Sequence, residues 1–409
     1  MALVSKTFSQ IITFTRASTG TYTDNAGVLQ TAAVDAPRFD YVPTTLAPLG
    51  FLVEEARTNG IRNNTMVGAV AGTPGTLPTN WTIGGTTTGL TISVVGTGTA
   101  NGITYIDIRF NGTAGAALNP NILFDTSTAI AATNGQAWSW SFYTALVGGS
   151  LTNVTNIIAV QAMYSSTPTL IGTLSGSAIT PTSAALITQR QVFSTTLNQA
   201  TTAFVRPQLQ FSVANGAAID ITLRIGLPQL ELGAFATSVI PTTTAAVTRA
   251  ADVASINTLS PWFNNVAGTL YAEYRIPYTP GATQNIEVTS FVGAVGVTQN
   301  GIAFYVNGPS GKQGSTNVWV SGTSVGRIDT TTNFVAGTNI KYATAYAAND
   351  RAVTSSGTAP ATSATAYTPP TINYVSLGGA QLGYINGYLQ RITYYPRRLT
   401  NTELQALTA

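Results

Sequence analysis

Short runs of branched and aromatic residues recur along this chain, and their spacing argues for an all-β fold. They are Leu90 to Val95, Ile103 to Phe110, Trp138 to Tyr143, Ile157 to Met163, Arg190 to Leu197, Phe204 to Val213 and Ile219 to Ile225, each bounded by Gly, Asn or Ser. Runs of this length between turn formers read as strands, and their succession reads as an antiparallel sandwich. The pattern resumes after Trp262 with Ile302 to Val306, Val318 to Ser321, Ile340 to Ala347, Tyr374 to Leu377 and Gly387 to Tyr395. Its clearest instance is Thr269 to Ile276, where alternation puts Leu270, Ala272, Tyr274 and Ile276 on one face and Tyr271, Glu273 and Arg275 on the other. At 409 residues the chain is long enough for two or three domains with real cores.

Only 8% of residues are charged and the mean hydropathy is +0.19, against about 25% charged in an ordinary soluble protein. Such a surface is either covered by neighbours or solvated through hydroxyls and amides, and both point to a component of an assembly. The chain has no Cys and no His, which excludes disulfides, zinc-finger ligand sets and Ser-His-Asp or Cys-His catalysis. The net charge of +3 is dispersed, with Arg397-Arg398 the one adjacent basic pair, so no nucleic-acid footprint is expected. Met1 to Lys6 lacks the form of a signal peptide and no run reaches the roughly 18 apolar residues of a membrane span. The Gly84-Gly85 and Gly148-Gly149 pairs lack the Lys-Ser/Thr of a phosphate loop. No cofactor is expected.

The first sixty residues carry the most specific wording: Phe14-Thr15-Arg16-Ala17-Ser18-Thr19-Gly20-Thr21-Tyr22, then Ala36-Pro37-Arg38-Phe39-Asp40-Tyr41, then Gly50-Phe51-Leu52-Val53-Glu54-Glu55-Ala56-Arg57-Thr58-Asn59. Asp24-Asn25-Ala26-Gly27 signals a turn within a hairpin. Arg16, Arg38 and Arg57 face Asp35, Asp40, Glu54 and Glu55 in an otherwise charge-poor chain, and Arg–carboxylate pairing can fix an irregular segment against a partner surface. An ordinary solvated loop is the alternative reading. The wording resembles the N-terminal arm of tailed-phage virion surface proteins of the head-fibre, capsid-decoration and tail-fibre types. That resemblance implies an extended anchoring arm over residues 1–60, in which Phe14, Arg16, Arg38, Phe39, Tyr41, Glu54 and Arg57 contact another virion protein or a neighbouring subunit. It implies a place on the virion exterior and a homo-oligomer, a trimer by analogy with phage fibres.

Beyond the arm, Asn63 to Asn80 reads as a connector. Ile219 to Ile225 followed by Gln229-Leu230-Glu231-Leu232-Gly233 and Ala236-Thr237-Ser238 looks like the final strand of carbohydrate-binding-module-type jelly rolls, so 61–240 is expected to be one sandwich. Residues 241–258 read as a linker. From 259 to 409, Lys341 to Tyr346 before the turn at Ala348-Asn349-Asp350, together with Asn386 to Leu399, resemble a concanavalin A-like or laminin G-like sandwich. Thr400 and Glu403 have capping-box spacing and Leu399 can staple to Leu404, which predicts a short C-terminal helix. The expected fold is therefore all-β: an extended arm, two antiparallel β-sandwiches of jelly-roll type and a short C-terminal helix.

Some relatives of these sandwiches are glycosidases, which need two acids flanking the scissile bond. Sandwich glucanases commonly place them at alternate positions of one strand, and no such acidic pair exists here; adjacent Glu54 and Glu55 would face opposite ways. The expectation is a non-enzymatic protein, a depolymerase acting through Glu273 or Glu287 being the least favoured alternative. Asp329 or Asp350 could serve a calcium site but lack an Asp-rich loop, and they read as turn residues. Candidate sugar-stacking aromatics are Trp81, Tyr105, Tyr305, Trp319 and Tyr384, whereas Trp138, Trp140 and Phe142 share a face and read as core. Two functions stay open: a structural virion component, or an adhesin for host surface polysaccharide.

Overall fold

A computed structural model describes residues 6–293, 300–379 and 382–409. Almost every element is an antiparallel strand, as the abundance of Thr, Val and Ile favours on a pleated surface. They build two sandwiches, and the chain ends in the helix Asn401–Thr408.

The first sandwich faces two five-stranded sheets. One runs in the order Leu170–Ala178, Val154–Tyr164, Phe204–Val213, Asn121–Leu123, Thr82–Gly84; the other runs Arg190–Thr196, Ala137–Ser150, Ala218–Leu232, Ile103–Thr113, Leu90–Ala100. Period-two alternation sends Ile106, Ile108 and Phe110 inward, with Ile221 and Leu223 from the neighbouring strand beside them. Trp140 and Phe142 are sealed from solvent and stack at 4.4 Å between centroids, with Phe124 against both.

The second sandwich has two seven-stranded sheets. The first runs Thr13–Thr15, Val253–Ile256, Tyr374–Leu377, Asn285–Val292, Gly301–Asn307, Lys312–Val320, Thr323–Asp329; the second runs Ala361–Ser363, Asp350–Ser355, Asn339–Ala347, Gly268–Arg275, Gly387–Tyr395, Pro48–Val53, Arg38–Tyr41. Leu270, Ala272, Tyr274 and Ile276 enter the core between them. Tyr271 faces the other way, beneath the C-terminal helix with Ala343, Ala345, Ala352, Leu399 and Leu404. Thr400 Oγ1 accepts from the Glu403 N–H at 3.3 Å and the Glu403 carboxylate accepts from the Thr400 N–H at 2.7 Å, closing the capping box.

The first sixty residues thus do not stand apart as an extended arm. Phe14 lies opposite Ala254, and Phe51, Leu52 and Val53 lie opposite Leu389, Tyr388 and Gly387, so three early strands complete sheets formed mostly from the last third of the chain. Residues 241–258 also differ from a linker. Val247–Arg249 pairs with Arg57–Asn59, and Val253–Ile256 is an inner strand of the second sandwich. The reason is apolar burial: Phe51 and Val53 are 5% and 0% exposed, and a free arm would leave both in water.

Candidate functional site

Arg16, Arg38 and Glu54 of the opening segment converge on the junction between the sandwiches, inside the molecule. Arg16 Nη1 pairs with Asp252 Oδ1 at 3.1 Å and Arg38 Nη2 with Asp252 Oδ2 at 2.5 Å. Arg38 Nη1 reaches Glu54 Oε2 at 2.8 Å, and Arg249 Nη2 stands 3.4 Å from the same oxygen. Arg16, Arg38, Glu54, Arg249 and Asp252 are all under 5% exposed. Burying charge is unfavourable unless it is paired and hydrogen-bonded, and here both carboxylates are multiply hydrogen-bonded, although Arg38 Nε and Arg249 Nε are buried without a hydrogen-bond partner. The Asp252 carboxylate also accepts from the Glu54 N–H at 2.8 Å, while Glu54 accepts from the Ser238 N–H and Oγ–H at 2.7 and 2.6 Å. Arg16 donates to the Ser18 and Ala33 carbonyls at 2.9 and 2.7 Å.

Local structure places each member. Pro48–Val53 ends at Glu54 as it leaves the second sandwich, and Val253–Ile256 starts immediately after Asp252. Arg38 opens an edge strand opposite Leu52. In the first sandwich, the long strand Ala218–Leu232 has an irregularity opposite Ser141 and Tyr143, where Leu227 takes a φ of 43°. Beyond it, Gln229 and Glu231 are buried toward the junction: Gln229 donates to the Ser238 carbonyl at 3.1 Å and accepts from the Ile240 N–H at 2.6 Å. Ser238 is thereby held where it bridges to Glu54.

Arg57 makes the second tie. It pairs with Glu55 at 2.6 Å, donates to the Leu232 carbonyl and lies 4.6 Å over the Phe235 ring, which itself stacks on Tyr278 at 3.7 Å. The guanidinium occupies the space a side chain at position 233 would need, since a Cβ on Gly233 would overlap Arg57 Nη1. Phe14 and Phe39 meet Phe51 at 5.7 and 5.9 Å, and Tyr41 is half-buried on the edge strand.

Burial alone would raise the Glu54 carboxyl, but Arg249 and Arg38, with the Ser238 donors, hold it down to about 2. Burial pushes Asp40 up, only partly opposed by hydrogen bonds from the Thr23 N–H, the Tyr388 hydroxyl and the Tyr41 N–H. Glu231 is likewise raised by burial against its Thr237 donors.

Among the anchoring candidates, then, Arg16, Arg38 and Glu54 come together and Arg57 lies on the same junction, yet their charged ends face the chain's own interior rather than a partner. Asp252, Arg249 and Ser238 complete the cluster and were absent from the sequence-derived set. A signal for two of them exists: Arg249 and Asp252 are the only charged residues between Glu231 and Glu273.

The sugar-stacking candidates do not assemble into one site. Trp81 is a core residue of the first sandwich, 4% exposed, edge-on to Phe124 at 4.7 Å and donating its indole N–H to the Asn63 carbonyl at 2.8 Å. Tyr305 is buried at 3%. Both therefore depart from an exposed platform, because neighbouring structure covers the rings. One face of the half-buried Tyr105 is covered by the Arg224 guanidinium at 3.6 Å. Trp319 and Tyr384 are half-buried in the second sandwich. Of the calcium candidates, Asp329 pairs with Arg327 at 3.0 Å and accepts from Ser315 Oγ at 2.5 Å, whereas Asp350 pairs with Arg398 at 2.8 Å.

No family model matches the chain, and no curated protein matches it. Among solved structures it is similar to Trypanosoma rangeli sialidase, at 12% identity over 78% of this chain with a TM-score of 0.28, and to the same sialidase in complex with sialic acid, at 10% and 0.27. The chain spans 62% of the length of each sialidase. It is also similar to the N-terminal CBM22-1-CBM22-2 tandem domain from Paenibacillus barcinonensis Xyn10C, at 9% identity over 82% of this chain and 98% of that one, with a TM-score of 0.24. Likenesses this slight carry no chemistry across.

Proposed function

We propose that this chain is a non-enzymatic structural protein on the exterior of a tailed bacteriophage virion, a capsid-decoration, head-fibre or tail-fibre component that displays two lectin-like sandwiches as one stiff unit. The observation that carries the reading is the junction. The segment worded like a phage arm supplies Arg16, Arg38 and Glu54 to a buried clasp with Asp252 and Arg249, which suits a particle surface that must resist local opening. Attachment then falls to an outer face rather than to the Arg side chains. The low charge content supports a homo-oligomer, trimeric by the fibre analogy, whose outer faces are covered by copies or other virion proteins.

The carboxylates favour the non-enzymatic side. Asp107, Asp125 and Asp220 pair with Arg224, Arg62 and Arg109, Glu403 with Arg397, and Glu273 accepts from the Tyr271 hydroxyl. Acids engaged in this way serve the fold. The decisive experiment is imaging of purified particles carrying a tagged copy, with copy number per particle measured by quantitative mass spectrometry. A fixed stoichiometry on the exterior is expected, and absence of the protein from purified particles ends the reading.

A second reading, an adhesin for host surface polysaccharide, draws on Trp319, which is half-exposed opposite the exposed Ser324, with Asn317 opposite exposed Arg327 on the same pair of strands. A half-exposed ring beside an exposed hydroxyl and guanidinium suits sugar stacking, while Asn317 itself is buried. Glycan binding by the full chain that Trp319→Ala abolishes is the outcome that selects it.

A further inference from the structure

The outer strands of the four large sheets expose backbone N–H and C=O groups, which invite another chain unless the edge is short, charged, bulged or covered. All but one are protected in one of those ways. Thr82–Gly84, Thr13–Thr15 and Ala361–Ser363 have three residues and Arg38–Tyr41 has four. Thr323–Asp329 carries Arg327 and Asp329, and Leu90–Ala100 is covered at Val94, whose N–H and C=O bond to the Pro74 carbonyl and the Gly72 N–H at 2.8 Å. Leu170–Ala178 is broken by two register shifts against Val154–Tyr164. The remaining one, Arg190–Thr196, keeps unbroken register from Ala137 to Tyr143, and no other strand pairs with it among the described residues. We propose that this edge pairs antiparallel with the same edge of a second copy of the chain, joining two five-stranded sheets into one continuous sheet.

The charge pattern selects a second copy as the occupant. No charged residue lies between Asp125 and Arg190, a segment that contains the neighbouring edge strand Leu170–Ala178 and the loops on either side of it. Arg190 is the one charge on the two edge strands, and its Nη2 turns onto its own sheet, donating to Ser141 Oγ at 2.9 Å and to the Thr237 carbonyl at 2.7 Å. Identical surfaces repel wherever they carry net charge, and a different partner is selected by charges that complement it. This side has neither the repulsion nor the selecting pattern.

Geometry and area agree with it. An antiparallel strand set against its own copy satisfies both rows of backbone groups about a twofold axis. Val192, Ser194 and Thr196 alternate on the exposed face of the strand, and Val192, at 55%, is the most exposed large apolar side chain in the described sheets. Across the pairing these side chains stand beside their own copies, where Val192 loses water-exposed apolar surface. The side of the sandwich measures about 30 by 20 Å, from nine residues in its longer edge strand and the spacing of two packed sheets. That is roughly 600 Å² per copy, which reaches the ~1,200 Å² total at which specific interfaces begin. The pairing rests on the homo-oligomer reading and adds a twofold to it. It fixes an even number of copies, two where this contact acts alone and six where a threefold contact forms as well.

The test is the mass of the purified full chain by light scattering at micromolar concentration. Val192→Lys and Ser194→Lys each set like charges beside one another across the twofold, and Val335→Lys, at an equally exposed position of the second sandwich, is the control. An even number of copies is expected, halved in both edge variants and kept in the control, with faster amide exchange over residues 191–195 in the edge variants than in the parent. A trimer overturns the pairing and leaves the homo-oligomer standing, whereas a monomer overturns both. An even assembly that ignores the edge substitutions also overturns the pairing, as does a control that dissociates along with them. If one edge variant fails to fold, the other decides alone.

Discussion

Arg38 and Asp252 stand 2.5 Å apart with both side chains sealed from solvent, although 214 residues separate them in the chain. Asp252 is also the only carboxylate paired with Arg16 among the described residues, so one side chain neutralises two buried guanidinium groups. Removing one partner of a buried pair leaves an uncompensated charge, which costs about 3–5 kcal/mol. Asp252→Ala should therefore lower the urea unfolding free energy by at least that range. A loss under about 1 kcal/mol means that the pair is balanced by its own desolvation rather than holding the junction.

Deleting residues 1–53 should not release a folded second sandwich. The deletion removes Thr13–Thr15, Arg38–Tyr41 and Pro48–Val53 from its two sheets and uncovers Leu389 and Ala254. The truncated protein should aggregate or bind a hydrophobic dye strongly while the full chain does not. A soluble truncated chain with the full protein's near-ultraviolet circular dichroism contradicts the sheet assignment.

What was legible in the sequence was what depends on near neighbours. Period-two alternation places Leu270, Ala272, Tyr274 and Ile276 in the core, and Thr400 with Glu403 marks the last helix, because both rest on residues a few positions apart. The partners of the opening arginines depend on chain topology, with Arg16 meeting Asp252 across 236 positions, and no periodicity encodes that. The same residues that read as an outward anchoring set are an inward clasp, since Arg–carboxylate complementarity is identical for a partner protein and for the chain itself. Trp81 and Tyr305 failed as exposed platforms for a related reason: an isolated aromatic shows no face until the sheet above it is known.

Thr400 gives a local check. Its hydroxyl accepts from the Glu403 N–H, and the helix it starts covers Tyr271, Ala343 and Ala352. Thr400→Ala should cost about 1 kcal/mol, the usual value of a lost cap, and lower the melting temperature without altering far-ultraviolet dichroism. Thr400→Ser should restore it; a Ser variant as unstable as the Ala variant removes the cap from the explanation.

The second tie between the sandwiches is aromatic. Phe235 and Tyr278 stack at 3.7 Å with a 14° interplanar angle. A double-mutant cycle with Phe235→Ala and Tyr278→Ala should give a coupling of about 0.5–1.5 kcal/mol, and hydrogen exchange should rise around Gly233 and Arg57 in Phe235→Ala. Strict additivity places the rings side by side without mutual stabilisation.

Acid should loosen the junction, and the sign follows from Glu54. Its folded value of about 2 lies below the ordinary 4.5, so its contribution is complete above pH 4.5 and is lost as pH falls toward 2. A shift of that size corresponds to roughly 3 kcal/mol. Asp40 and Glu231 act oppositely: burial raises both, so they favour the folded state below the ordinary carboxylate range and lose that advantage as pH rises through their raised values. Asp40→Asn keeps an acceptor for the Thr23 N–H and removes the ionisation, so it should stabilise the protein near pH 7 relative to the parent. Glu54→Gln should be less stable at pH 7 and show a flatter stability slope between pH 2.5 and 4.5, measured by urea unfolding at each pH. An unchanged acid slope in Glu54→Gln assigns the acid sensitivity to another carboxylate and leaves the clasp electrostatically silent.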